Sequence, residues 1–319
     1  SFVCANQSLQ SVENIKDVNS CFAGDSNTYN GFIDDSIQEL KSSMGPKGAA
    51  LKPKHMNKFM PEKLYKVLKR DFDCYQITYL VDDVEVKGFY LSEKFENNAK
   101  GVDAEPKPLV VLNRGGNGGF GKMAKIILLA RFSKIAKAGY VIMGSQYRDE
   151  DEFGGKDLLD VFEIINIAKK LPNVDPESVS MLGVSRGAMM TYMAARQLPE
   201  LKSLIIWAGQ SDLEQGLTFR PAMENVYKAR IPQYSQNKQQ ALQQRSAIHW
   251  VNEISSDMPI LLLHGDKDKR VNVSHAQSMA DRLKALNHPH QLTIYENGSH
   301  SLKKHSKQVM TEIIQWLNK

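Results

Sequence analysis

Ser185 stands in Gly183-Val184-Ser185-Arg186-Gly187, a serine with a glycine two positions away on either side. Glycines so placed let a serine occupy a sharp turn with its Oγ exposed, because they remove side chains that would collide there. The run Val179-Ser-Met-Leu182 predicts a strand before it, and residues 186–197 predict a helix after it. A serine on such a turn lies at the carboxyl edge of a sheet, beside a helix N-terminus that can face a reacting carbonyl. Serine is a weak nucleophile without a base, and the base needs an orienting carboxylate. Asp266 and Asp268 both follow the apolar run Ile260-Leu-Leu-Leu263. Asp268, deeper in the loop, is the expected carboxylate; Asp266 is expected to shape the turn, and Asp212 is the third choice. His300, in Glu296-Asn-Gly-Ser-His300, is the expected base, between the last predicted strand and the last helix. His290 precedes that strand, His305 falls in the helix, and His264 reads as a packed or loop-bonding residue. The chemistry implied is acyl transfer through an acyl-enzyme.

The elements that must carry these groups follow a repeating order. Strands are predicted at Leu109-Val-Val-Leu112, Tyr140-Val-Ile-Met143, Leu204-Ile-Ile-Trp207, Ile260-Leu-Leu-Leu263 and Gln291-Leu-Thr-Ile-Tyr295. Helices are predicted at 122–138, 156–171, 274–286 and 302–317. Fully apolar strands separated by helices imply a parallel sheet covered on both faces. Gln76-Ile-Thr-Tyr-Leu-Val81 and Val84-Glu-Val-Lys-Gly-Phe-Tyr-Leu91 predict an antiparallel hairpin turning at Asp82-Asp83. The expected class is α/β: an α/β-hydrolase fold of about eight mostly parallel strands, in which Ser, Asp and His follow in this chain order. Residues 1–70 are expected to be a helical extension and 71–319 the catalytic domain, with a helical cap insertion at 213–254. That insertion, with Phe219, Tyr227, Tyr234 and Trp250, is the expected seat of specificity, although any one of these rings is expected simply to pack the cap.

The backbone N–H of Arg186 is the expected first oxyanion donor. The second is expected from the loop Arg114-Gly115-Gly116, through a side chain or the backbone. A rival reading attaches to Gly116-Asn-Gly118-Gly-Phe-Gly121, which matches the dinucleotide pattern GxGxxG. The strand after it, Val141-Ile-Met-Gly-Ser-Gln146, offers no acid for a ribose, and Met123 stands where a phosphate loop needs Ser or Thr. A non-catalytic binding protein on the same fold is a further alternative. No HExxH or Cys/His cluster is present, so neither metal nor cofactor is expected. In the acidic run Asp149-Glu-Asp-Glu152, after Tyr147-Arg148, Asp151 or Glu152 is expected to pair with Arg186 and brace the turn. A substrate-amine site built from Tyr147, Asp151 and Glu152 is the alternative.

At these residues the chain resembles the catalytic domain of the prolyl oligopeptidase family, with its acylaminoacyl-peptidase and dipeptidyl-peptidase relatives. Asn113-Arg-Gly-Gly116, Gln146-Tyr-Arg148, Asp151-Glu-Phe-Gly-Gly155, Gly183-Val-Ser-Arg-Gly187, Ser211-Asp-Leu213, Arg245-Ser246 with Trp250, His264-Gly265 through Asp268 and Gly298-Ser-His300 carry the resemblance. It implies a serine hydrolase with Ser185, Asp268 and His300 as its triad, acting on an ester, amide or peptide bond. The family's large proteases carry a β-propeller, which about 70 helix-like residues are not expected to build, so small esters and short peptides or amides become expected substrates. Where the family often has Tyr or His before the paired glycines, Arg114 stands here.

Composition limits the remaining classes. The 319 residues are 42% hydrophobic and 24% charged, within the ordinary range of globular proteins. No apolar run is long enough for a membrane-spanning helix. Of the +5 net charge, +8 falls between Lys41 and Arg70, where helical spacing of Leu64, Val67 and Leu68 favours a solvated helix face over nucleic-acid binding. Three cysteines occur, and a Cys4–Cys21 bridge is expected to order the N-terminal stretch. With a first residue of Ser rather than Met, this favours a periplasmic or secreted location over a cytoplasmic one. Cys74 reads as an unpaired, buried strand-edge residue.

Overall fold

A computed structural model describes residues 5–94 and 105–319 of the chain. The strands are β1 (Ile15–Ser20), β2 (Phe72–Val81), β3 (Val84–Glu93), β4 (Lys107–Asn113), β5 (Val141–Ser145), β6 (Val174–Val184), β7 (Leu204–Trp207), β8 (Ile260–Gly265) and β9 (His290–Tyr295). Their order in the sheet is β1-β2-β3-β5-β4-β6-β7-β8-β9. By contact density the chain divides into two units. One takes Ser1–Val110, Gly118–Asp149 and Glu163–Pro176; the other takes Val111–Asn117, Glu150–Phe162 and Glu177–Lys319.

In the first unit β1, β2, β3 and β5 pair antiparallel in that order. Val81 pairs with Val84, leaving Asp82 and Asp83 both at positive φ, 48° and 62°. That is a two-residue type I′ turn, whose backbone twist matches the strands it joins. The strand β1 departs from the all-helical extension expected for residues 1–70. Ile15 and Val18 are its only apolar residues and none of its six residues is buried, so it lacks the alternating signature of a half-buried strand. The helices Tyr29–Ser43 and Glu62–Asp71 supply Phe32 and Tyr65, whose rings lie 5.1 Å apart. Lys125 is buried against this segment: its Nζ lies 2.7 Å from Ser26 Oγ, 3.5 Å from Asp35 and 3.7 Å from Glu39.

Cys21 is bonded to Cys74, not to Cys4. Cys4 lies outside the described residues. The pairing corrects the expected Cys4–Cys21 bridge, and Cys74 is a disulfide half rather than a lone thiol. The physical reason is sheet register: Ser20 pairs with Tyr75, and the Cys21 N–H donates to the Cys74 carbonyl at 2.9 Å. Adjacent strands thus set the two cysteines side by side across 53 positions of sequence.

In the second unit β6, β7, β8 and β9 pair parallel. All residues of β7 and β8 are buried, as continuous apolar strands covered by helices require. The insertion after β7 is helical, at Leu213–Phe219, Met223–Arg230 and Lys238–Gln244. Tyr227, Tyr234 and Trp250 are buried within it, whereas Phe219 is exposed.

In the chain-entropy view a cross-link closing a loop of this length stabilises by about 4 kcal/mol. Urea titrations with and without reductant are therefore expected to show a lower midpoint for the reduced protein, and Cys74→Ser should match it. Coincident curves would contradict a stabilising bridge.

Candidate active site

The strand β6 runs into Ser185, whose N–H donates to the Trp207 carbonyl of β7 at 2.9 Å. Ser185 then turns to φ 57°, ψ −121° and the helix Arg186–Ala195 starts at the next residue. A non-glycine residue at positive φ is strained and persists only where its surroundings fix it. Here they do so by close backbone approach. A Cβ on Gly187 would lie 1.9 Å from the Asn113 carbonyl oxygen, and one on Gly183 would lie 2.3 Å from the Gly187 carbonyl oxygen. Thr191 locks the junction: its Oγ1 donates to Gly187 O and accepts from Asn113 Nδ2, both at 2.9 Å.

The end of β4 brings Arg114, Gly115 and Gly116 over the turn. A Cβ on Gly115 would be 3.1 Å from Ser185 Cβ and 3.7 Å from its Oγ. Arg114 is buried and donates from Nη1 to the Gly115 carbonyl at 2.8 Å. The first helical residue after this loop is Lys125, three residues past the predicted Lys122 and four past Gly121. In a dinucleotide fingerprint the glycine run itself opens the helix that meets the pyrophosphate, and here no helix starts within residues 116–121.

Asp268 and His300 meet because β8 and β9 are parallel neighbours whose following loops interlock. A Cβ on Gly265 would lie 2.2 Å from the Gly298 carbonyl oxygen, and the Lys267 N–H donates to that oxygen at 2.9 Å. His300 Nδ1 lies 2.7 Å from Asp268 Oδ2, so the ring donates its Nδ1–H to the carboxylate and keeps Nε2 as the basic nitrogen. Asp268 Oδ1 accepts from the N–H groups of Arg270 and Val271 at 2.8 and 3.0 Å. It is therefore Asp268, more than Asp266, that shapes this turn. His264 is fully buried, with Nε2 2.9 Å from the Val271 carbonyl and 3.3 Å from Asp268 Oδ2. Burial alone would raise the Asp268 pKa. Hydrogen bonds from His264 and His300, the His300 charge and the Val271 N–H outweigh it and hold the carboxyl well below its ordinary range.

Of the two acids expected beside Arg186, Asp151 is the one that meets it, at 2.6 and 2.7 Å through both oxygens. The Glu152 carboxylate instead accepts the Lys156 N–H at 2.8 Å. Asp157, absent from the sequence reading, is a second partner of Arg186 and also accepts the Gly154 and Gly155 N–H groups at 2.9 Å each. An acid two residues past a Gly-Gly pair, at a helix start, is the signal that marks it. Arg245, from the insertion, donates to the Phe153 carbonyl at 2.6 Å, and the Phe153 ring packs 4.8 Å from the Arg186 guanidinium. Tyr147 belongs to the first unit, buried at φ 60° with its N–H on Ser145 Oγ. Of the other histidines, His290 Nδ1 bonds the His288 carbonyl, and His305 lies in a 3₁₀ turn ahead of the last helix, rather than inside it. Among the described residues no His, Cys, Asp and Glu group has metal-site geometry, and no helix is long and apolar enough to cross a membrane.

Comparison with known proteins identifies the family and the fold. The prolyl oligopeptidase family model matches residues 138–319. The chain is 25% identical to the uncharacterized peptidase YtmA of Bacillus subtilis over 251 residues, which cover 76% of the chain and 92% of YtmA. Acylaminoacyl peptidase of Pyrococcus horikoshii superposes with a TM-score of 0.65 at 20% identity, over 79% of this chain and 43% of that one. A puromycin-hydrolyzing peptidase of Mycobacterium tuberculosis superposes with a TM-score of 0.65 at 18% identity, over 76% and 38%. The chain thus spans less than half of these two larger structures, and the likeness to them is one of fold.

Because folding keeps Asp268 ionised below its ordinary pKa of 3.8, its stabilisation is complete above about pH 4 and is lost as pH falls toward the folded value. The stability gap between wild type and Asp268→Asn is expected to narrow on acidification from about pH 6 to pH 3. A gap that stays constant or widens in urea titrations would contradict this.

Proposed function

Because the chain belongs to the prolyl oligopeptidase family, we propose that it cleaves peptide or related acyl bonds with Ser185 as nucleophile, His300 as base and Asp268 as the carboxylate that orients it. The observation that carries the reading is Ser185 itself, held at φ 57° between a strand end and a helix start under the backbone of Gly115. His300 takes the Ser185 proton as Oγ attacks the substrate carbonyl, then returns it to the leaving amine or alcohol. Water repeats the sequence in reverse and releases the acid. Asp268 holds the Nδ1–H tautomer and offsets the charge that His300 gains. The Arg186 N–H supplies one oxyanion donor. The second comes from the backbone of Gly115 and Gly116, since the Arg114 guanidinium is buried and engaged with a carbonyl.

The triad chemistry serves esters as well as amides, since both pass through the same kind of acyl-enzyme. Peptides are the favoured substrates on the strength of the family, and small size is favoured by the insertion, whose exposed ring is Phe219. The Asp151 carboxylate is committed to Arg186, which favours a bracing role over a site for a substrate amine. An oxidising compartment is favoured by the Cys21–Cys74 bridge.

Turnover should be measured on a panel of acyl esters, aminoacyl amides and short peptides. Ser185→Ala is expected to lose about 10⁶ in kcat, and His300→Ala a comparable amount. Near-wild-type turnover in Ser185→Ala would refute the nucleophile; the same result in His300→Ala would refute only the base.

A further inference from the structure

Two guanidinium groups hold consecutive carbonyls of the loop above Ser185. Arg114 Nη1 donates to the Gly115 carbonyl at 2.8 Å, and Arg186 Nη1 donates to the Gly116 carbonyl at 3.2 Å. Both side chains are buried, and Arg186 is anchored in turn by Asp151 and Asp157. A trans peptide is planar, so its N–H points opposite to its C=O. The Gly115 carbonyl and the Gly116 N–H belong to one peptide group. Fixing the first therefore fixes the direction of the second.

We infer that Arg114 is a positioning residue: by holding the Gly115 carbonyl it aims the Gly116 N–H at the oxygen of the reacting carbonyl, while Arg186 holds the next peptide. The inference rests on the reading of Ser185 as nucleophile. It gives a role to the arginine that stands where the family often has Tyr or His. A side chain that donates directly must reach the substrate, whereas Arg114, 1% exposed, is turned into the protein. Its charge needs acceptors there, and a main-chain carbonyl is one of them. A donor set in place before reaction needs no reorganisation as negative charge develops on the substrate oxygen. Such a donor acts in the transition state more than in substrate binding, which separates it from a residue that only supports the fold.

The test uses the full chain with Arg114→Met and Arg114→Lys, a chromogenic ester and an arylboronate that mimics the tetrahedral adduct. Arg114→Met is expected to lose about 10²–10³ in kcat, with KM within about threefold of wild type. Boronate affinity should fall in parallel, while affinity for the product acid is unchanged. Arg114→Lys, which keeps a donor within reach of one carbonyl, should recover at least about tenfold of the loss. Wild-type kcat and boronate affinity in Arg114→Met overturn the inference, as does a loss that matches the fraction unfolded by near-ultraviolet circular dichroism. Should Arg114→Met fail to fold, Arg114→Gln decides. That variant keeps a polar side chain but loses the guanidinium that holds the Gly115 carbonyl; a selective fall in kcat supports the inference and an unchanged kcat overturns it. Turnover surviving in Ser185→Ala overturns the nucleophile reading and this inference together, whereas an unaffected Arg114→Met overturns this inference alone.

Discussion

The carboxyl end of the second unit is built on the contact between the Gly187 backbone and the Asn113 carbonyl, where a single methyl group would lie at 1.9 Å. That approach draws the end of β4 onto the start of the helix Arg186–Ala195, and so sets Gly115 above Ser185. It also keeps Ser185 at positive φ, since the sheet bond to Trp207 fixes one side of the turn and the helix fixes the other. Strain of this kind costs on the order of 1–3 kcal/mol and must be held by the structure around it. The Thr191 hydroxyl, which donates to the Gly187 carbonyl and accepts from the Asn113 side-chain amide, is the side chain that holds the contact closed.

Charge is organised around the same contact. Arg186 pairs with two buried carboxylates, and removing one partner of a buried ion pair costs about 3–5 kcal/mol in other proteins. The loop 151–155 is tied to Asp157 through glycine N–H groups and to the insertion through Arg245. Packing of the insertion and placement of the loop 114–116 therefore share Arg186 and its neighbours. A second polar cluster lies at the ends of β8 and β9. There Asp268 accepts from two backbone N–H groups and two imidazoles, which keeps it ionised and the His300 ring in one orientation.

Much of this was legible in the residues. Short apolar runs located β4 to β9, because strands covered on both faces are largely apolar, and the hairpin pattern around Asp82-Asp83 located β2 and β3. The spacing of Gly183, Ser185 and Gly187 located the turn, and the loops after β8 and β9 supplied Asp268 and His300. What escaped reading depends on register or on distant partners. The edge strand β1 is polar and takes its conformation from β2. The Cys21–Cys74 bridge follows from that pairing, and nothing in the spacing of the cysteines announces it. Asp157 was hidden because it falls in the first turn of a helix, where an acid has an ordinary place, and the turn of Arg114 toward its own carbonyl neighbour depends on a side-chain rotamer.

The central claim is that Ser185 is the group that bonds to the substrate acyl carbon. Peptide mapping by mass spectrometry after treatment with a fluorophosphonate addresses it directly. Residues 171–186 form one tryptic peptide, Leu-Pro-Asn-Val-Asp-Pro-Glu-Ser-Val-Ser-Met-Leu-Gly-Val-Ser-Arg. One phosphonyl group per chain is expected, on Ser185 within that peptide, formed by the native protein and not after denaturation. An adduct on another serine, or none from the folded protein, would contradict it.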